Sequence, residues 1–100
     1  MSARLIVRAR AETDLAKASK WYEQRASGLG RHFLDCTDRA INLICHNPLA
    51  FPVYHRQFRR ALVPRFPFGV FYIATSETVI VFAVLHLAQD PQTIRHFLTE

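Results

Sequence analysis

Acidic residues are scarce in this chain, and the stretch between Arg39 and Ser76 contains none. Lysine and arginine together number 13 against 8 aspartates and glutamates, which gives a formal net charge of +5. Because only Lys17 and Lys20 are lysines, arginine carries most of the charge, and its guanidinium suits bidentate contact with phosphate or carboxylate. The composition predicts an anionic partner, with a basic surface that only maintains solubility as the alternative.

Cysteine and the common catalytic motifs are also rare or missing. Cys36 and Cys45 lie nine positions apart in a predicted helix, a spacing that suits neither a metal site nor a disulfide framework, so we expect two buried thiols. No histidine pair has metal-ligand spacing. The chain has no Gly-rich phosphate loop, no nucleophile elbow and no carboxylate pair in its basic segment. We therefore expect no metal and no cofactor.

Long hydrophobic runs are absent as well. The longest, residues 79–85, is far too short to span a bilayer, and arginines interrupt residues 1–10, unlike a signal peptide. One hundred residues can bury one core but hardly two. We expect a single domain over residues 1–100, cytoplasmic and not associated with a membrane.

The hydrophobic periodicity predicts an α+β fold with the element order βααβββ. Period-2 alternation marks strands and 3.6-residue spacing marks helices, and Asp90-Pro91 has the form of an N-cap followed by proline at the first helical position. A two-glycine break separates two helices that form a hairpin on one face of an antiparallel sheet. The predicted segments are a strand at 4–9, a helix from 11, a break at 27–30, a helix ending at 47–48, strands at 57–63, 66–74 and 78–87, and a short helix after 90.

The last two predicted strands are apolar on both faces, and alternation places Ile80, Phe82 and Val84 together on one of them. Two helices can cover only one face of such a sheet. We expect the other face to be covered by the C-terminal segment, a second copy or a partner protein, unless the sheet curls enough to bury it.

Alternation also separates the paired arginines of the basic segment. Arg60 shares a face with apolar residues, so aromatic stacking or an acidic partner is expected to hold its guanidinium. Arg59 is expected to be a solvated edge residue, and Arg65 lies in the following turn.

One catalytic hypothesis is compatible with these residues, a metal-free ribonuclease. His86 closes the last strand, where an imidazole is either a general acid or base near neutral pH or a structural group. In the catalytic version, Arg60 and Arg65 bind phosphate and stabilise its developing charge, while His86 or His96 transfers protons. The sequence offers no obvious second proton-transfer group.

Several short motifs, in their order and spacing, resemble the RelE/ParE superfamily of toxins from bacterial type II toxin–antitoxin modules. The resemblance spans nearly the whole chain, although each motif alone is weak. The residues that carry it are Ala11, Asp14-Leu15, Trp21-Tyr22-Glu23, Gly28-Leu29-Gly30, Phe33, Asn47-Pro48, Arg59-Arg60, Phe66-Pro67-Phe68, Tyr72, Val84, His86 and Asp90-Pro91.

The resemblance implies a βααβββ fold and a cognate antitoxin whose extended C-terminal segment fills an apolar groove on the toxin. The Trp21-Tyr-Glu and Phe66-Pro-Phe segments, together with the lack of tyrosine after Tyr72, place the chain nearer the ParE branch. That branch implies a plasmid-stabilisation toxin that inhibits growth through DNA gyrase. The alternatives are a RelE-like endoribonuclease that cleaves mRNA on the ribosome and a non-toxic interaction module or decayed toxin.

With an antitoxin or another protein as partner, we expect the contacts to involve the two central arginines, the aromatic residues of the apolar strands and the histidine at the end of the last strand. These residues are Arg59, Arg60, Phe66, Phe68, Phe71, Tyr72, Phe82 and His86.

Overall fold

The fold is known from a computed structural model that describes residues 2–99. Its elements in chain order are β1 (Arg4–Val7), α1 (Ala9–Arg25), α2 (Leu29–His46), β2 (Val53–His55), β3 (Phe58–Leu62), β4 (Phe68–Ala74), β5 (Thr78–His86) and α3 (Pro91–Phe97). The predicted order of elements, the helical hairpin and the short C-terminal helix are confirmed.

The sheet differs from the prediction in two respects. Its strand order is β1-β5-β4-β3-β2, and β1 runs parallel to β5 whereas the other pairs are antiparallel, so the sheet is mixed. The additional strand β2 is only three residues long and follows the prolines Pro48 and Pro52. A run this short cannot show alternation, and its pairing with β3 decides its conformation.

The start of α1 also differs from the prediction. The helix begins at Ala9 rather than Ala11, and β1 ends at Val7 rather than residue 9. Arg8 is the N-cap in an extended conformation and makes no capping bond with its side chain. The boundary therefore lacks the Ser, Thr, Asp or Asn that would mark it in the sequence.

Glu23 and two glycines hold the helical hairpin together. Oε2 of Glu23 accepts the amide of Gly28 at 2.9 Å and Oε1 accepts the amide of Gly30 at 3.0 Å. The carboxylate from α1 thus satisfies two amides at the start of α2 that have no intrahelical partner. Gly28 has φ 85°, and Gly30 lies where a Cβ would come 2.5 Å from the Ser19 carbonyl oxygen. Gly28 therefore serves the left-handed turn between the helices, and Gly30 permits their close packing.

An aromatic cluster forms much of the core between the helices and the sheet. Tyr22 of α1 stacks on Phe33 of α2 at 5.4 Å between ring centroids, and Phe66 meets Tyr22 edge-on at 4.8 Å. Phe68 meets Phe33 at 4.9 Å. Such pairs contribute packing beyond their buried area. The motif residues Tyr22, Phe33, Phe66 and Phe68 are therefore fold determinants.

A β-bulge in β5 corrects the predicted faces. Phe71 pairs with Ala83 and Tyr72 with Val81, which leaves Phe82 as the extra residue. Beyond a bulge the alternation resumes with its phase shifted by one. Val84 therefore packs in the core under the helices, whereas Phe82 packs on the opposite side of the sheet, contrary to their predicted grouping.

The sheet face opposite α1 and α2, here called the second face, has its own apolar cluster. Ile94 and Leu98, from α3 and the residue after it, are buried there, with 2% and 0% of their surface exposed. They pack with four sheet residues, Phe58, Phe71, Ala83 and Leu85. Of the predicted covers for this face, the C-terminal segment is confirmed.

Both cysteines are buried free thiols, as predicted. Burial also raises the pKa of the Cys45 thiol, which keeps it protonated and unreactive at neutral pH. Within residues 2–99, no helix combines the length and apolar character needed to cross a membrane.

Candidate functional site

The arginines of the basic segment do not form one patch. Arg56 lies in the turn between β2 and β3, and Arg65 lies in the turn between β3 and β4, at the opposite end of the five-residue strand. Both have positive φ, 52° and 67°, in the left-handed region that non-glycine residues seldom occupy. Both side chains are exposed.

Arg59 is not the solvated edge residue that alternation predicted. Its Nη1 donates to the carbonyl oxygens of Phe51 at 2.6 Å and Leu49 at 3.2 Å. β3 is not an edge strand, because β2 lies beside it, and the preceding loop folds over Arg59. The guanidinium therefore satisfies loop carbonyls and stabilises the connection between α2 and β2.

Arg60 lies on the second face, and aromatic stacking holds it, one of the two arrangements expected. Its Cζ is 4.8 Å from the centre of the Tyr54 ring, a cation–π distance. Its aliphatic stem crosses Gly69, where an added Cβ would lie 3.2 Å from Cγ and Cδ of Arg60. The chain thus provides an aromatic ring and a glycine to position this one arginine.

His86 lies on the helix side of the sheet, away from Arg60. Its ring meets Phe68 edge-on at 5.0 Å, and its Nδ1 accepts the amide of Ala88 at 3.0 Å. In the neutral ring the proton is therefore on Nε2. His96 is exposed on α3. The fold does not bring Arg60 and His86 together, because they are on opposite faces.

The aromatic residues expected to contact a partner differ in exposure. Phe71 and Tyr72 are fully buried, so their side chains are core residues of this chain and are not available at its surface. Phe68 is 9% exposed. Phe66 and Phe82 are partly exposed, and Arg8 lies over the Phe82 ring at 4.9 Å.

Tyr72 has a structural role. Its hydroxyl donates to the carbonyl oxygen of Pro48 at 2.9 Å, which ties β4 to the end of α2. Burial raises the pKa of Tyr72 to about 12, and the Arg59 guanidinium opposes part of the rise. Because the phenol is buried in its protonated form, ionising it would disrupt this contact.

The raised pKa of Tyr72 predicts a loss of stability at alkaline pH. Its folded pKa exceeds the usual value of 10.0, so its contribution to folding is complete below about pH 10 and is lost as pH rises towards 12. We expect the urea midpoint of the wild type to fall between about pH 10 and 12 more steeply than that of Tyr72→Phe. Parallel curves for the two proteins would contradict this.

A groove between α1 and the end of β5, here called the α1–β5 groove, is a wide concave surface. Its volume is about 720 Å³. Helix α1 forms one wall, the ends of β4 and β5 form the floor, and Phe97 lies at the rim. The lining residues are Arg10, Asp14, Lys17, Ala18, Trp21, Tyr22, Pro67, Phe68, Val84, Leu85, His86, Gln89 and Phe97.

Of the predicted site residues, the groove brings together only Phe68 and His86. Sequence reasoning missed the four polar or aromatic residues that α1 contributes, Arg10, Asp14, Lys17 and Trp21. Their spacing of four, three and four residues places them on one face of a helix. This row of polar and aromatic residues, which runs along α1 beside its apolar face, was the signal that could have identified them.

Asp14 connects the two sides of the groove. Its Oδ1 accepts Nε of Arg10 at 3.0 Å, and its Oδ2 accepts the amide of Val84 at 3.0 Å. The carboxylate is 12% exposed. A largely buried carboxylate with a cation and an amide donor is well satisfied, so Asp14 fixes α1 against β5.

No group of three or more His, Cys, Asp or Glu side chains within residues 2–99 is arranged to hold a metal ion. The groove therefore offers apolar and aromatic surface, a fixed imidazole and the charges of Arg10, Asp14 and Lys17. Such a surface is suited to binding a segment of another molecule.

Comparison with solved structures gives a match over most of the chain. A chain from the structure described as a chromosomal ParDE TA system from P. aeruginosa superposes with a TM-score of 0.72 at 12% sequence identity. The match covers 86% of this chain and 97% of that chain. At this identity the likeness shows the fold. No curated protein sequence matches the chain.

Comparison with protein families matches most of the sequence to one family. The family described as "ParE toxin of type II toxin-antitoxin system, parDE" matches residues 5–91. The matched range begins in β1 and ends at the start of α3, so it includes the glycine-linked hairpin, the aromatic cluster and all of the α1–β5 groove except Phe97. Since most of the chain is matched, this protein belongs to the ParE toxin family of type II toxin–antitoxin systems.

Proposed function

We propose that this ParE-family chain inhibits growth in the cytoplasm by binding DNA gyrase, and that a cognate antitoxin neutralises it. One observation supports binding rather than catalysis as its mode of action. Arg60 lies on the second face, stacked on Tyr54, while His86 lies in the α1–β5 groove. A phosphate-binding arginine and a proton-transfer group must reach the same phosphodiester group, and these two residues do not share a site.

A gyrase supercoiling assay tests the proposed target. We expect the purified chain to inhibit supercoiling at a stoichiometric ratio to gyrase. Arg60→Ala and His86→Ala are expected to retain the inhibition, since neither residue has a catalytic role in this proposal. Gyrase that is unaffected by an excess of folded protein would contradict the proposal.

An assay with stalled ribosomes tests the other mode of action. Cleavage of mRNA by the wild type that is lost in the Arg60→Ala, His86→Ala and His96→Ala variants would indicate the RelE-like activity instead. We expect no difference between the wild type and the variants, because none of these proteins should cleave the mRNA.

Expression in cells tests neutralisation. We expect growth arrest when the chain is expressed alone and normal growth when the adjacent open reading frame is co-expressed. A chain that is harmless without that partner would instead be an interaction module or a decayed toxin. Circular dichroism of the purified protein controls for misfolding in each assay.

A further inference from the structure

Exposed apolar side chains are concentrated at one corner of the fold. Among the described residues, three of the four most exposed large apolar side chains are Leu43, Leu49 and Val53, with 60%, 52% and 56% of their surface exposed. They lie at the end of α2, in the loop that follows and in β2. Single apolar residues are normal on a protein surface, whereas a group of them marks an interaction site.

Arg59 connects the loop to β2 at this corner. Its Nη1 donates to the Leu49 carbonyl oxygen at 3.2 Å, and Arg59 is the cross-strand partner of Val53. Paired residues of neighbouring strands project their side chains from the same face of the sheet. The Leu49 backbone and the Val53 side chain therefore both lie beside the Arg59 guanidinium, which is held in place between them.

Helix α2 presents Leu43 on the same side of the molecule. Gly30 marks the side of α2 that touches α1, and Leu43 lies about 140° around the helix axis from it. Because α1 packs on β5 through Asp14, the side of α2 away from α1 is the side of β3 and β2. Arg39 is exposed one turn before Leu43, as its i,i+4 neighbour. We call these five residues the α2–β2 corner: Arg39, Leu43, Leu49, Val53 and Arg59.

The charges of the α2–β2 corner are all positive. The stretch between Arg39 and Ser76 contains no acidic residue, and Asp38 lies about 140° from Leu43 around α2. Within residues 2–99, no acidic side chain forms an ion pair with Arg39 or Arg59. An apolar group with unpaired cations at its rim complements a surface that has an apolar centre and an acidic rim.

Two other occupants are less complementary to the corner. A second copy of the chain would bring its own arginines against these, and each copy carries a net charge of +5, so like charges would repel. The phosphates of a nucleic acid would match the arginines, but they would leave three apolar side chains without an apolar contact. An acidic protein surface satisfies both the charges and the apolar side chains.

We propose that the α2–β2 corner is the surface through which the chain binds the gyrase protein. Leu43, Leu49 and Val53 pack on an apolar area of gyrase, and Arg39 and Arg59 face acidic side chains around that area. The inference rests on the proposed binding of gyrase, and it identifies the surface responsible. Strands β4 and β3 separate β2 from β5 in the sheet, so the corner is distinct from the α1–β5 groove.

Truncation of the leucines tests the apolar contact. We expect Leu43→Ala and Leu49→Ala each to weaken binding to purified gyrase about 10-fold, and to weaken inhibition of supercoiling in parallel. The matched control is Leu62→Ala, the same truncation of a leucine that is 59% exposed outside the corner. It should change the affinity less than about 2-fold. Equal effects at positions 43, 49 and 62 would overturn the proposal.

Charge reversal tests the acidic rim. Arg39→Glu is expected to weaken gyrase binding about 10-fold at low ionic strength, and by less as salt screens the interaction. The matched control is Arg95→Glu, the same reversal at an exposed helical position outside the corner, with an expected change below about 2-fold. Equal losses in both variants would show that only net charge matters, which contradicts the proposal. Thermal denaturation checks that each variant is folded.

The outcomes separate this inference from the proposed function. Wild-type protein that does not bind gyrase would overturn both. Gyrase that binds the wild type and all the corner variants equally would overturn the corner alone. A dimer in sedimentation equilibrium that Leu43→Ala dissociates would assign the corner to a second copy. Binding to plasmid DNA without gyrase that Arg39→Glu abolishes and the leucine variants retain would assign it to DNA. Either of these last results would overturn the proposal.

Discussion

Replacing Gly30 by alanine is expected to lower the free energy of unfolding by about 3 kcal/mol. The new Cβ would lie 2.5 Å from the Ser19 carbonyl oxygen and 3.1 Å from the Cβ of Glu23. The carbonyl belongs to the backbone of α1, so it cannot rotate away as a side chain would. The two helices would have to separate, which loosens the bond from Glu23 to the start of α2 and the packing of Tyr22 on Phe33.

Gly28→Ala is the matched control for this prediction. It makes the same chemical change two residues earlier, but nothing lies within 4 Å of its Cβ position. Only the positive φ of 85° opposes it, at a cost of about 1 kcal/mol. Urea denaturation followed by circular dichroism measures both. Equal costs for the two variants would show that close packing of α1 on α2 does not depend on Gly30.

Replacing Leu98 by alanine is expected to cost about 2–4 kcal/mol. Leu98 is fully buried and packs on the second face with Phe58, Phe71 and Leu85. The smaller side chain leaves a cavity that this small cluster can only partly fill by relaxing. Denaturant unfolding, with intrinsic fluorescence as a second probe, measures the loss.

Leu43→Ala is the matched control for the Leu98 variant. Leu43 is 60% exposed on α2, so the same truncation should change the free energy of unfolding by less than about 0.5 kcal/mol. A small effect at both positions would mean that residues 91–98 contribute little to covering the second face, and that a partner is needed to protect it.

Features that depend on residues close in sequence were predictable. Helical spacing predicted both long helices, and Asn47-Pro48 correctly predicted the end of the second. The spacing of Cys36 and Cys45 in a helix, unsuited to a metal site or a disulfide, correctly predicted two buried thiols. The expected stacking of Arg60 depended only on which neighbours share its face, and Tyr54 confirms it.

Features that depend on distant residues were not predictable from the pattern. The Asp14 carboxylate reaches the Val84 amide across 70 residues of sequence, so no pattern near Asp14 indicates this contact. Arg59 looked solvated because the three-residue strand β2 and the loop that binds its guanidinium had no signal of their own. The bulge at Phe82 reversed the predicted faces without any glycine or proline to mark it.

The amino-acid pattern alone therefore specifies the elements, their order and the two apolar sheet faces, because local spacing decides which side chains can be buried together. The shape of the binding surface is a tertiary property. The pairing of β1 with β5 covers only four residues, and α1 lies beside the rest of β5. This arrangement brings Asp14, Lys17, Trp21 and His86 together along one groove. Chain geometry, rather than the charge of the acid-free stretch, decides which residues line this groove.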